Sequence, residues 1–200
     1  MDCIELSIKK LDEVCCNFAH EIKKEYQPDM VIYLAKGAYL IGKSMSDVFG
    51  VPLIAVGSTR DGNELKEKLA LLLGVLPRWL CNFLRRIELK SNVHGHKKER
   101  HIKFLDNVAF LNIQNSNLKI LLVDDSVDTG SSILAAKKLI KSNFSNYVIR
   151  VAALNVMSQS RENVKVDYYL YTDKMLRTPM SKDSREYRKF LEMYSNKARE

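Results

Sequence analysis

The sequence lacks several features that would place it in a specialised class. It has no apolar run long enough to cross a membrane, and its first residues lack the apolar core of a signal peptide. Its four cysteines, Cys3, Cys15, Cys16 and Cys81, do not have the spacing of a metal site, so we expect reduced thiols in a cytoplasmic protein. Internal repeats and low-complexity linkers are also missing. With 46% apolar and 28% charged residues, residues 1–200 are expected to form one globular domain.

Positive charge is in excess, with a formal net charge of +8. Basic residues concentrate in residues 97–103 and 185–199. Such a surface is typical of proteins that attract polyanionic substrates or nucleic acid, and equally of a lysine-rich solvated surface. The first run has no interleaved aromatic residues, which a stacking platform for nucleic acid requires. We therefore expect neither a nucleic acid nor a membrane as partner.

Hydrophobic periodicity predicts helices that alternate with strands. Helices are expected over residues 4–26, 39–49, 133–141 and 182–199, and strands over residues 30–35, 53–56, 120–124, 147–156 and 167–171. Strands separated by helices in this way are typical of βαβ units, in which the strands run parallel. The sequence therefore predicts an α/β fold.

Residues 60–104 interrupt the alternation. We predict a helical insertion over residues 60–88. A substrate cover, a dimer surface and a membrane-surface helix all fit its composition, and packing in the core or in a dimer is favoured over a membrane. The polar residues 88–104 are expected to form a mobile loop or a catalytic lid. Three histidines, His94, His96 and His101, have no cysteine or paired acid beside them, which favours solvated loop histidines over a metal site.

Residues 119–134, KILLVDDSVDTGSSIL, join an apolar strand to a helix through a turn rich in acids and hydroxyls. Main-chain N–H groups at a helix N-terminus bind anions, and Gly130 lets the main chain approach a phosphate. Asp124 and Asp125 suit paired hydroxyls or a divalent cation, because ionised carboxylates only accept hydrogen bonds. Asp128 lies in the turn, where it can take a proton from a reacting group. The combination indicates a sugar phosphate.

A second candidate site consists of Lys36 and Gly37. They lie between a predicted strand and a predicted helix, where ligands collect in open α/β sheets. The alternative is a plain turn with no ligand.

The segment LLVDDSVDTGSSI resembles the phosphoribosyl pyrophosphate (PRPP) binding signature of type I phosphoribosyltransferases. Two further motifs follow the order of that family. Residues 34–38 (LAKGA) resemble its pyrophosphate loop, and residues 88–91 (ELKS) resemble the start of the flexible catalytic loop of hypoxanthine-guanine enzymes. The resemblance, nearest to hypoxanthine/xanthine-guanine enzymes, implies a parallel sheet flanked by helices, with a flexible loop and a small hood. Residues 157–200 are expected to contribute to the acceptor side of this hood.

The resemblance also implies a reaction, the transfer of the 5-phosphoribosyl group of PRPP to a purine-like base with release of pyrophosphate. Mg²⁺ is the implied cofactor, with Asp124 and Asp125 as metal residues that hold the ribose hydroxyls directly or through Mg²⁺-bound water. The implied PRPP-binding residues are Lys36, Gly37, Asp124, Asp125, Asp128, Thr129, Gly130, Ser131 and Ser132, and the implied catalytic residues are Asp128, Lys90 and Ser91. Loop closure by Lys90 and Ser91 would exclude water from the activated sugar.

Acceptor binding is assigned by the same resemblance to Met157, Tyr168, Tyr169 and Asp173. Purine-using relatives place a lysine at the end of the strand that here covers residues 151–157, where it meets the purine 6-oxygen. This chain has Met157 there, and a methionine can pack on a ring but lacks a directional donor. A non-purine acceptor is therefore an alternative. We expect a homodimer or a higher homo-oligomer.

Two other classes of protein share part of the pattern. A response-regulator receiver also has a strand that ends in two aspartates, but in that fold the pair lies near the start of the chain. Here the pair is at residues 124 and 125, and the receiver fold contains no Asp-Thr-Gly-Ser-Ser loop. A regulator that senses PRPP and binds nucleic acid would suit the net charge. Retention of Asp128 and Lys36 favours an enzyme.

Overall fold

A computed structural model describes residues 3–57, 102–106 and 117–197. The predicted helical insertion over residues 60–88 and the residues Lys90 and Ser91 lie outside the described residues, as do Cys81 and the three loop histidines. Within the described ranges, no helix is long and apolar enough to cross a membrane.

Within residues 3–57 and 117–156 the described elements alternate between strands and helices, as the periodicity predicts. The strands are β1 (Cys3–Glu5), β2 (Met30–Leu34), β3 (Leu53–Gly57), β4 (Lys103–Phe104), β5 (Leu118–Val127), β6 (Tyr147–Val156), β7 (Tyr168–Thr172) and β8 (Met175–Arg177). The α-helices are α1 (Ile8–Lys23), α2 (Tyr39–Phe49), α3 (Ser131–Asn143) and α4 (Tyr187–Lys197), and a short 3₁₀ helix covers Ser158–Ser160.

Six of the strands form one sheet in the order β4-β3-β2-β5-β6-β7, in which only β4 is antiparallel to its neighbour. From β2 the chain passes through α2 to β3 on one side, and from β5 it passes through α3 to β6 on the other. The carboxyl ends of β2 and β5 therefore meet at the point where the strand order reverses, which is the usual ligand position in open α/β sheets. The prediction of a largely parallel α/β sheet is confirmed.

The sheet buries a core on each face. In β2, Val31 and Tyr33 pack with residues of α1, α2 and α4, while Ile32 and Leu34 pack with residues of α3. All five residues of β2 are buried. A strand covered by helices on both faces is expected to be apolar without alternation, as the MVIYL sequence of β2 is.

The N-terminal boundary differs from the prediction. A helix was expected over residues 4–26, but α1 begins at Ile8, after Ser7 whose Oγ accepts the N–H of Lys10. Residues Cys3–Glu5 instead form β1, which pairs in parallel with β8. The partner of β1 lies at the other end of the chain, so the local pattern contains no sign of it.

Strand β5 is longer than the sequence indicates. A strand over residues 120–124 was expected, but β5 continues to Val127 because its main chain remains paired with β6, with Ser126 opposite Asn155. The two acidic residues Asp124 and Asp125 therefore lie within the strand. Helix α3 begins at Ser131, two residues earlier than predicted.

Candidate functional site

A cavity of about 270 Å³ lies at the carboxyl ends of β2 and β5. It combines the end of β2, the last residues of β5 and the start of α3. Its lining consists of Leu34, Ala35, Gly37, Asp124, Asp125, Ser126, Val127, Asp128, Thr129, Gly130, Ser131, Ser132 and Ile133. The structure thus brings together every predicted PRPP-binding residue except Lys36.

The start of α3 is suited to an anion. Gly130 occupies the N-cap position of the helix, where it has no side chain to bond the first turn. The first N–H groups of a helix have no partner within the helix, and they lie at the positive end of its dipole. The hydroxyls of Thr129 and Ser131 are hydrogen-bonded to each other with their oxygens 2.9 Å apart. A phosphate at this position would be met by main-chain N–H groups and by hydroxyl donors.

Gly130 is required both by its conformation and by its surroundings. Its φ is +79°, a region that side chains rarely adopt. A Cβ at this position would lie 2.3 Å from Cγ1 of Val164, which packs across the turn. A glycine therefore allows the close packing that holds the turn at the start of α3.

Two adjacent carboxylates form the acidic part of the cavity. Asp124 is only 8% exposed, and its Oδ1 accepts the N–H of Asp125 at 2.9 Å. The Oδ1 of Asp125 accepts the N–H of Ser126 at 2.8 Å. Burial, together with the neighbouring charge of Asp125, raises the pKa of Asp124 well above the usual range of a carboxyl group.

This acidic pair fits a divalent cation. A cation beside Asp124 and Asp125 would offset the burial and mutual repulsion that raise the pKa of Asp124. Mg²⁺ commonly uses one or two protein carboxylates and completes its shell with water and substrate oxygens. In the described part of the chain, no cluster of three or more acidic, histidine or cysteine side chains could hold a metal by itself.

The loop after β2 lies against the acidic pair. A Cβ on Gly37 would lie 3.2 Å from Oδ2 of Asp125, so the main chain there is close to the carboxylate. The Ala35–Lys36 peptide bond is cis. The ammonium group of Lys36 lies 5.7 Å from the ring centre of Tyr194 in α4. Lys36 thus contacts the C-terminal helix and does not line the cavity.

Asp128 lines the cavity just after the end of β5. Ser126 Oγ donates to its Oδ1 at 3.2 Å. A half-buried carboxylate that lines the cavity is placed as a proton acceptor for a molecule bound there.

The four residues assigned to acceptor binding do not line this cavity. Met157 is bonded to the lining, since its N–H donates to O of Val127 at 3.0 Å. Asp173 has a φ of +53°, and its carboxylate accepts the N–H and the hydroxyl of Ser158. The hydrogen bonds from Ser158 lower the pKa of Asp173.

The two tyrosines assigned to acceptor binding lie on the edge strand β7. Tyr169 is 43% exposed, and the guanidinium of Arg161 stacks 5.3 Å from its ring centre. Tyr168 pairs with Ala152, well before the end of β6, and packs against the core on the α1 side. The structure therefore does not bring Tyr168 together with the residues of the cavity.

Asn155 and Val164 contact residues of the cavity lining and are absent from the sequence-based prediction. Asn155, in β6, donates from Nδ2 to Oγ of Ser126 at 3.2 Å, and Val164 packs on Gly130. For Asn155 a signal existed, namely one polar residue in the apolar segment VAALNV of a predicted buried strand. For Val164 none existed, because its contact depends on the turns between β6 and β7.

Comparison with known proteins agrees with this geometry. The family model described as phosphoribosyl transferase domain matches residues 7–175. No curated protein sequence matches the chain.

Several solved structures have the same fold. A xanthine-guanine-hypoxanthine phosphoribosyltransferase of Helicobacter pylori is 12% identical, with 97% of each chain covered and a TM-score of 0.58. A purine phosphoribosyltransferase of Pyrococcus horikoshii is 18% identical, with 90% of this chain and 93% of that chain covered and a TM-score of 0.56. A hypothetical protein of Neisseria gonorrhoeae with bound ppGpp is 13% identical, with 98% and 97% covered and a TM-score of 0.54. At these identities the likeness concerns the fold, and the predicted type I phosphoribosyltransferase-like fold is confirmed.

Proposed function

We propose a reaction for this chain, which belongs to the phosphoribosyl transferase domain family. In this reaction it transfers the 5-phosphoribosyl group of PRPP to a purine-like base and releases pyrophosphate. The predicted phosphoribosyltransferase is confirmed at the level of the family. PRPP as donor, a purine-like base as acceptor and the roles of individual residues form the proposal.

The observation that carries this proposal is the composition of the cavity. It combines two adjacent carboxylates, the first turn of α3 with a glycine at its N-cap, and the close main chain of Gly37. PRPP carries three groups of matching chemistry, a ribose diol, a 5-phosphate and a pyrophosphate. Carboxylates accept hydrogen bonds from a diol, and a helix N-terminus binds a phosphate.

Each residue has a role in the proposed reaction. Asp124 and Asp125 hold the ribose hydroxyls, and the turn 128–132 binds the 5-phosphate. Asp128 takes the proton from the acceptor nitrogen as the new bond to the sugar forms. The main chain at Lys36 and Gly37 meets the pyrophosphate, and Mg²⁺ bound at the acidic pair would neutralise the charge of that leaving group. Lys90 and Ser91, outside the described residues, are proposed to close over the sugar.

The observations limit the identity of the acceptor base less than that of the donor. Membership of the family supports a nitrogenous base, while Met157 supplies a thioether where a lysine would donate to a 6-oxopurine. The Sδ of Met157 lies 3.6 Å from Nδ2 of Asn155, so its outer part is beside the end of β5. A flat apolar ring packs well on such a side chain. A non-purine base is therefore the second candidate acceptor.

The direct test is an assay of pyrophosphate release. The purified protein is incubated with PRPP and Mg²⁺ and a panel of purine and other nitrogenous bases, and the ribonucleotide product is identified by mass spectrometry. We expect release with at least one purine, and none in EDTA. A product formed only with a non-purine base would establish the second candidate acceptor. PRPP binding in calorimetry without release for any base would favour a PRPP-sensing regulator.

We also propose a homodimer or a higher homo-oligomer in the cytoplasm, with residues 157–200 on the acceptor side. Analytical ultracentrifugation at several protein concentrations measures the mass in solution. A monomer at all concentrations would contradict this part.

A further inference from the structure

Asn155 is a buried polar side chain among the apolar residues of β6, and it is 1% exposed. Its amide lies among four polar or weakly polar groups. Nδ2 is 3.1 Å from O of Lys174, 3.2 Å from Oγ of Ser126 and 3.6 Å from Sδ of Met157, and Oδ1 is 3.2 Å from N of Lys174. A buried amide costs free energy unless its donors and acceptors are paired. The pairing of Asn155 therefore specifies where each of its atoms lies.

The orientation of the amide follows from the chemistry of its neighbours. The N–H of Lys174 can only donate, so the group that faces it is the oxygen Oδ1, and Nδ2 faces Ser126. Nδ2 has two hydrogens, and a thioether is the weaker acceptor. The two hydrogens therefore go to the carbonyl of Lys174 and to Oγ of Ser126.

This orientation determines the direction of the next hydrogen bond. Because Oγ of Ser126 accepts from Asn155, its own hydrogen remains to be donated. The neighbouring acceptor is Oδ1 of Asp128 at 3.2 Å, and an ionised carboxylate can only accept. The hydrogen bonds thus run in one direction, from Asn155 to Ser126 and from Ser126 to Asp128.

We propose that Asn155 is a positioning residue that acts through Ser126. It holds the carboxylate of Asp128 in the orientation that meets the acceptor nitrogen. This inference rests on the proposed function, in which Asp128 is the base. Asn155 also holds both main-chain groups of Lys174, in the connection between β7 and β8, so one buried side chain joins the base to the proposed acceptor side.

A purely structural Asn155 would give a different result. If it only tied the connection between β7 and β8 to β6, its removal would lower stability independently of Ser126, and turnover by the folded protein would remain. A positioning role instead makes the losses at Asn155 and Ser126 one effect, because both act through the same contact with Asp128.

The test is a double-mutant cycle on the active enzyme, with Asn155→Ala, Ser126→Ala and the double variant. We expect each single change to lower kcat about tenfold while KM for PRPP stays within about twofold, since misplaced groups slow the chemical step. The double variant is expected within about twofold of the lower single variant. Ser126→Thr keeps the hydroxyl and is expected to retain kcat within about threefold.

Ser44→Ala is the matched control. Ser44 is also buried, and its Oγ donates to a carboxylate, Oδ1 of Asp12, at 2.6 Å, but it lies in α2 away from the cavity. Its loss removes the same type of hydrogen bond, so stability is expected to fall while kcat remains at the wild-type value.

Several outcomes would overturn the inference. Losses that multiply in the double variant, or a loss confined to KM for PRPP, would exclude action through Ser126. If Asn155→Ala does not fold, Ser126→Ala decides: wild-type kcat overturns the role, and a tenfold loss rescued by Ser126→Thr supports it. If the wild-type protein releases no pyrophosphate with any base, the proposed function is wrong and this inference is wrong with it. If the wild-type protein is active and the variants give one of the results above, only this inference is wrong.

Discussion

At the scale of single residues, Asp124 shows how a site can oppose the stability of the fold that contains it. Its carboxyl is buried beside a second carboxylate, and both effects raise its pKa. A folded-state pKa above the unfolded value means that protonation favours folding. The corresponding stability is present below the unfolded pKa and is lost as the pH rises through the folded one.

This sign gives a prediction for Asp124→Asn in EDTA. Because asparagine resembles the neutral carboxyl, the variant is expected to unfold at higher urea concentration than the wild type at pH 7.5. The difference should vanish below about pH 4, where the wild-type carboxyl is protonated in both states. Asp47→Asn, at an exposed ion pair of α2, is the control and should stay within about 0.5 kcal/mol of wild type at either pH. A less stable Asp124→Asn at neutral pH would contradict the prediction.

Asp128 allows a test of the base itself. Asp128→Asn keeps the size and the acceptor for Ser126 but removes the proton acceptor of the proposed reaction. We expect kcat to fall by about a hundredfold or more with little change in KM for PRPP. Steady-state pyrophosphate release measures both constants. Wild-type turnover in this variant would remove Asp128 from the mechanism.

Gly130 is a residue whose replacement is costly for two reasons. In Gly130→Ala the new Cβ would overlap Val164 and stay in a left-handed conformation, so we expect a loss of about 1–3 kcal/mol in the free energy of unfolding. Urea denaturation measures it. In a Val164→Ala background the same change should cost less, because part of the overlap is removed. Equal costs in the two backgrounds would show that the overlap does not matter.

At the scale of elements, helix α4 joins the C-terminal part of the chain to the sheet. Nζ of Lys197 lies 3.0 Å from the hydroxyl of Tyr33 in β2, and 3.0 and 3.1 Å from the carboxylate oxygens of Asp106. Asp106 in turn accepts the N–H of Ala55 in β3 at 2.7 Å. On the same helix, Tyr194 packs edge-on against Tyr39 of α2, with their ring centres 5.0 Å apart. One end of α4 is thus bonded to β2 directly and to β3 through Asp106, and it packs on a second helix.

This arrangement predicts an unequal effect of two lysines of α4. Lys197→Ala should lower the free energy of unfolding by about 1–3 kcal/mol, because the partly buried carboxylate of Asp106 loses its cation. Lys189→Ala, on the exposed side, should change it by less than about 0.5 kcal/mol. Urea denaturation of both variants measures the difference. Equal stabilities would mean that the Lys197 contacts add nothing.

At the scale of the whole molecule, binding of PRPP is expected to raise the stability of the folded protein. A ligand that binds only the folded state at a hundred times its Kd adds about 2.7 kcal/mol. For a chain of this size, PRPP with Mg²⁺ should raise Tm by about 5–10 °C. Differential scanning calorimetry measures the shift, and a smaller one is expected in EDTA. A shift of the same size in EDTA would show that a divalent cation takes no part in binding.

Much of the fold could be read from local patterns. The apolar run of β2, the ends of α2 and the full length of β6 agree with the periodicity, since a buried strand and an amphipathic helix each impose a short repeat. Boundaries that depend on a distant partner could not be read. Strand β1 exists because β8 pairs with it, and β5 continues to Val127 because β6 is beside it.

The same division holds for the candidate site. By itself, the sequence determined the chemistry proposed for the donor side, because the carboxylates, the glycine and the hydroxyls of residues 124–132 lie in one continuous segment. Only the tertiary structure decided that Gly37 abuts Asp125 and that Asn155 reaches Asp128 through Ser126. Those contacts join residues from three different strand ends. Sheet order brings strand ends together, and sheet order results from the packing of the whole chain.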